Sequence, residues 1–136
     1  MARILIIEDN PTNLELMSYL LKAFGHEVVA AMDGAEGIET VRLHEQTLRR
    51  QLIEQLVSLP SVQLFAANLS DDHLVGVLSL TLEGFDPQDA AAILDQSFDI
   101  QTRAGLHCAP GAHRSLGTLS TGGTLRVSVG PETTAE

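Results

Sequence analysis

The chain has 136 residues, with 18 acidic against 8 basic side chains and a formal net charge of -10. A phosphate-binding surface needs clustered Lys and Arg, so neither nucleic acid nor an anionic membrane is expected as a partner. Aromatics make up 4% and tryptophan is absent, which leaves Leu, Ile, Val and Ala to build a core of helices packed on sheet.

No run approaches the ~20 apolar residues of a membrane span. The start Met1-Ala2-Arg3 leads into no signal-peptide cleavage pattern. A cytoplasmic location, compatible with recombinant expression, is expected. Cys108 is the sole cysteine, which excludes an internal disulfide and leaves a buried or a reactive thiol.

In chain order, residues 3–7 form an apolar run suited to a strand buried on both faces. Asn10-Pro11 supplies a cap and a first-turn proline. Leu14, Met17, Leu21 and Phe24 then recur at helical spacing up to Gly25. Residues 26–31 read as a second strand, closed by Asp33-Gly34, a turn pair that can cap the next helix. That helix is long: Ile38, Val41, Leu48, Leu52, Leu56 and Leu59 keep phase until Pro60. Within it Arg49 and Arg50 adjoin, and pairing with Glu45 and Glu54 at i,i+4 is expected.

Beyond Pro60, a strand is expected over 62–66, a polar turn over 68–72 and a further strand over 75–82. Asn68-Leu69-Ser70 matches a glycosylation sequon, which carries weight only in a secreted chain. Asp86-Pro87 opens a helix with Ala91, Leu94 and Phe98 close to one face. A strand over 100–103, a loop holding Cys108, a short helix over 112–116, and a Gly122-Gly123 turn into a strand over 125–129 complete the pattern. Residues 132–136 read as a frayed tail.

The segment 3–37 resembles the start of a response-regulator receiver domain: an apolar strand ending in Glu8-Asp9, then Asn10, an amphipathic helix, Gly25-His26, a second strand and Asp33-Gly34. The resemblance implies that Glu8 and Asp9 inherit a share in holding Mg²⁺, a hard cation that takes carboxylate oxygens. It also calls for a phosphoacceptor Asp after the third strand, where this chain has Ala67 and Asn68, and Asp71 and Asp72 lack the family's flanking residues. The lysine it needs after the fifth strand is absent, since the sole lysine is Lys22, in the first helix.

Residues 38–131 look like the C-terminal small domain of a pyridoxal-phosphate-dependent cysteine desulfurase of the class V aminotransferase group. The carrying residues are His44-Glu45-Gln46, the strand 75–82, the run Arg103-Ala104-Gly105-Leu106-His107-Cys108-Ala109-Pro110, then His113-Arg114, Leu116-Gly117-Thr118 and Leu125-Arg126-Val127-Ser128. By this resemblance Cys108 is the residue that takes sulfur as a persulfide, Arg103 or a protonated His107 would lower its pKa, and Arg126 would hold a substrate carboxylate. His107 and His113 have no standard zinc spacing. The family's cofactor lysine and phosphate contacts belong to a large domain that this sequence does not supply.

The expectation is therefore an α/β fold, one hybrid domain over 1–136, in which a flavodoxin-like βαβ piece is joined to an aminotransferase small-domain piece. Its sheet would start with parallel strands and continue mixed, with one sheet or two left open. The expected function is none that is catalytic: an engineered or recombined chimera, not an enzyme, with no cofactor and no small-molecule substrate. Cys108, Arg103, His107 and Arg126, and the metal-type pair Glu8 and Asp9, would be vestigial. The alternatives are residual persulfide chemistry at Cys108 or weak divalent-cation binding at Glu8 and Asp9. A surface once covered by a large domain would admit a homodimer.

Overall fold

The computed structural model describes residues 1–67, 70 and 74–135 and divides them into two compact units, Met1–Glu45 with the tail from Gly130, and Gln46–Val129. The sequence implies one hybrid domain over residues 1–136 with its fragments meeting near residue 38. The division between units lies within helix α2 (Gly34–Leu56), which begins in the first and ends in the second. The architecture is α/β, with four helices and six strands in two separate sheets among the described residues.

In the first unit β1 (Arg3–Ile7) and β2 (Glu27–Ala31) pair in parallel, with Leu5 beside Val29, and are joined by helix α1 (Pro11–Ala23). Asn10 caps α1 as its sequence implies: Oδ1 accepts from the amides of Thr12 (3.0 Å) and Asn13 (3.2 Å). The start of α2 is closed reciprocally. The Glu36 amide donates to Asp33 Oδ1 (2.8 Å), and Glu36 Oε2 accepts from the Met32 amide (2.6 Å). Gly37 lets α2 approach β1, for a Cβ there would stand 2.5 Å from Ile7 Cδ1.

The apolar stripes are less buried than their periodicity suggests. Phe24, at the end of the α1 stripe, is 78% exposed, and Ile38, first in the α2 stripe, is 72% exposed. Helical period marks a face, and burial follows only where another element covers it. The tail expected to fray is held at Thr133: its carbonyl accepts from His44 Nε2 (2.9 Å) and its Oγ1 from the Gly130 amide (3.0 Å).

In the second unit β3 (Val62–Phe65), β4 (Val77–Leu82), β5 (Arg103–Gly105) and β6 (Thr124–Ser128) form an antiparallel sheet in the order β3-β4-β6-β5. Leu78 and Leu80 of β4 and Leu125 of β6 are buried on it. Helix α3 (Pro87–Phe98) packs against β4, β5 and β6. Asp86 caps it by accepting from the Gln88 amide (2.8 Å), and its inward residues are Pro87 and Ala90, whereas Phe98 is exposed. Helix α4 (Pro110–Leu116) follows β5.

Several expectations are corrected. The strand placed at 100–103 starts where that range ends, at Arg103, because Asp99 takes a left-handed cap (φ 55°) and the residues after it only then become extended. Arg49 is not on an exposed helix face: it is 4% exposed, and its Nε and Nη2 donate to the carbonyls of Val77 (3.4 Å) and Ala66 (3.2 Å). The polar turn over 68–72, with the sequon, Asp71 and Asp72, lies outside the described residues apart from Ser70.

Candidate functional site

The run that carries the desulfurase resemblance folds into a strand, a tight turn and a helix. After β5 the Ala109 amide donates to the Leu106 carbonyl (2.8 Å), and the two residues between, His107 and Cys108, have φ of 51° and 60°. Two positive φ values in succession define a type I′ turn, normally built from Asn and Gly. Holding two side-chain-bearing residues there costs on the order of 1 kcal/mol or more each. The turn leaves the Cys108 side chain exposed.

Gly123 fixes how closely this turn sits on the neighbouring strand. It has φ +98°, and a Cβ on it would meet the carbonyl of Gly105 and lie 3.0 Å from the Leu106 nitrogen. The pairing of β5 with β6 sets Arg103 opposite Arg126, and on the other side of β6 Ser79 also faces Arg126. Arg126 Nε is buried with no hydrogen-bond partner among the described residues. Two guanidinium groups thus share one cross-strand position, an unfavourable pairing unless an anion lies between them.

His107 Nε2 lies 3.1 Å from the Thr124 carbonyl and 3.2 Å from Thr124 Oγ1. A carbonyl only accepts, so Nε2 carries the hydrogen and Nδ1, buried and without a partner among the described residues, carries none. Burial lowers the His107 pKa below its ordinary value, against the raising effect of the Thr124 hydrogen bond, and the charges of Arg126, His113 and Arg103 lower it further. Burial thus favours the neutral ring. A lowered pKa weighs against the protonated His107 expected beside Cys108. The His113 ring is 5.7 Å from that of His107, and its Nδ1 is 2.8 Å from Thr118 Oγ1, with both residues buried.

Sequence reasoning missed Thr124, which is 0% exposed and orients His107. Its signal was its place directly after Gly122-Gly123, where the returning strand must meet the turn.

The other candidate pair belongs to the first unit. Glu8 Oε1 accepts from the Asn10 amide (3.2 Å) and Asn13 Nδ2 (3.3 Å), so this carboxylate serves the start of α1. Asp9 is exposed. Among the described residues no three His, Cys, Asp or Glu side chains converge as a metal site would require. His44 is structural in the first unit: Nδ1 accepts from Arg3 Nη1 (2.9 Å) while Nε2 donates to Thr133.

The residues do not fit pyridoxal phosphate. The cofactor is held through a Schiff-base lysine, and the sole lysine of this chain, Lys22, is exposed in the last turn of α1, at the C-terminal end of that helix. No described helix is long and apolar enough to cross a membrane.

Comparison with known proteins finds both resemblances. A probable cysteine desulfurase of Methanothermobacter thermautotrophicus is 29% identical over 133 residues, 96% of this chain and 32% of that protein. The transcriptional regulatory protein GlrR of Escherichia coli is 29% identical over 108 residues, 75% of this chain and 23% of that protein. The apo structure of a cysteine desulfurase from Thermococcus onnurineus superposes with a TM-score of 0.64 at 29% identity, covering 73% of this chain and 23% of that one. The chain thus spans about a third or less of the relatives it matches, and it combines cysteine-desulfurase-like with response-regulator-like sequence.

The aminotransferase class-V family pattern matches residues 18–136, beginning inside α1 and overlapping the receiver-like segment. With that pattern over most of its length, and the Arg103–Pro110 turn and Arg126 in the expected order, the chain belongs to the aminotransferase class-V family.

Proposed function

We propose that these 136 residues perform no catalysis of their own, and that they are a recombined or engineered hybrid whose property is the folding of fragments from two families along one helix. The hydrogen bond of His107 Nε2 to the Thr124 carbonyl, in a site whose burial lowers the ring's pKa, carries this reading. The imidazole beside Cys108 has its Nε2 proton committed to the Thr124 carbonyl and its bare Nδ1 buried, so neither nitrogen is presented at the surface where the thiol lies. The sole lysine, Lys22, lies in α1, where it serves the helix C-terminus, a favourable place for a cation. Glu8 acts in capping, which supports a structural role for the acidic pair in place of Mg²⁺ binding.

The test is incubation of the chain with pyridoxal phosphate and L-cysteine, measuring sulfide and alanine. The expected result is no product above that of Cys108→Ala. Turnover that depends on Cys108 would overturn the reading.

The exposure of Cys108 favours one second reading, a passive sulfur acceptor. Its thiolate would attack the outer sulfur of a small-molecule persulfide, forming a new S–S bond as the donor's S–S bond breaks and the donor leaves as a thiolate. Mass spectrometry would find one added sulfur on Cys108 after exposure to the donor, and an unmodified Cys108 would exclude this role.

A further inference from the structure

The hydrogen-bond register of β1 and β2 identifies which backbone groups of β1 are left over. The Glu27 amide donates to the Ala2 carbonyl (2.9 Å) and the Glu8 amide to the Ala31 carbonyl (3.1 Å). In a parallel pair each strand alternates between residues that bond the neighbour and residues that turn away. With Arg3 beside Glu27 and Ile7 beside Ala31, Ile4 and Ile6 bond β2, and the amides and carbonyls of Arg3, Leu5 and Ile7 face the opposite edge. Among the described residues no strand pairs with that edge.

We propose that this edge of β1 is an interface for a second copy of the chain, the two β1 strands running antiparallel about a two-fold axis at Leu5. A two-fold pairing places Leu5 opposite Leu5 of the second copy and Arg3 opposite Ile7. All three leftover residues then become mutually hydrogen-bonded pairs, with none of the existing β1–β2 bonds disturbed. The result is one sheet in the order β2-β1-β1-β2, in place of two isolated two-stranded sheets, which are marginal by themselves.

Charge selects the same arrangement. Antiparallel pairing brings Arg3 of each chain beside the end of the other's β1, where Glu8 and Asp9 follow Ile7. Among the described residues Arg3 makes one loose ion pair, with Glu27 (3.4 Å). A parallel pairing would instead stack Arg3 on Arg3 and the acidic pairs on each other. Ile7, 52% exposed, would also be covered. Charged residues at the strand ends guard against other registers, since each slip moves Arg3 away from its partners.

The test is sedimentation equilibrium of the full chain over a concentration series, with circular dichroism to establish that each variant is folded. A dimer is expected, weakened by salt. Asp9→Lys sets like charges at both ends of the pairing and should raise the dissociation constant about tenfold, and the double variant Arg3→Glu/Asp9→Lys should restore it. Leu5→Pro removes an amide that faces the free edge and not β2, so it should abolish the dimer while leaving the β1–β2 bonds. A chain that is monomeric throughout overturns the proposal, as does a dimer unmoved by Asp9→Lys. Should Leu5→Pro fail to fold, the Asp9→Lys pair of measurements decides.

Discussion

Replacing Gly123 by alanine probes how the Cys108 turn is held. The position combines φ +98° with a backbone neighbour where the new methyl would go. The conformation costs about 2 kcal/mol for a residue with a Cβ. The obstruction is the Gly105 carbonyl, part of the β5 chain, so relief requires the end of β5 to move and the Gly105–Thr124 pairing to open. Losing one such bond adds about 1 kcal/mol. The sum, about 3 kcal/mol, corresponds to a urea midpoint lower by about 2 M for a slope of ~1.5 kcal/mol/M. Gly25→Ala is the control, because Gly25 has φ +81° and nothing within 4 Å of a new methyl; its cost is the conformation alone, about 1 kcal/mol. Urea unfolding of the three proteins gives the comparison, and alkylation of Cys108 reports whether the turn has moved. A Gly123→Ala variant no less stable than Gly25→Ala would refute the packing argument.

Three further outcomes are expected. Asp33→Ala removes the side-chain acceptor at the start of α2 and should cost about 1 kcal/mol in urea unfolding. Because the His107 pKa is lowered in the folded state, its contribution to stability is complete above the ordinary histidine value and is lost as pH falls through the folded pKa; His107→Gln should flatten that acid-side decline in a thermal-unfolding series. Arg49→Met leaves the carbonyls of Val77 and Ala66 without their donor and should lower stability by about 2 kcal/mol by the same urea measurement, since the loss of two bonds exceeds the relief of a buried charge.

The local punctuation of the chain was legible. Asn10-Pro11, Asp33-Gly34 and Asp86-Pro87 act through neighbouring backbone amides, and each helix begins where these residues imply. What depends on distant chain was not. Ile38 and Phe98 keep helical period yet are exposed, because period does not say whether a covering element exists. Arg49 reads as one more helix-surface charge until β4 brings the Val77 carbonyl to it. The residues of the Cys108 turn could be named from sequence, but the facing of Arg103 and Arg126 arises from strand register, and the lowered pKa of His107 from burial beside Thr124.

The type I′ turn at His107-Cys108 also makes a record of selection. Asn and Gly would relieve its conformation, so a library randomised at these two positions and sorted only for folded chains should drift toward Asn-Gly. A library sorted for a chemical task of the thiol should keep Cys108 against that drift. The dipeptide therefore separates what the fold wants from what a task of the thiol demands, and the enrichment at two codons reads out which pressure a given population has felt.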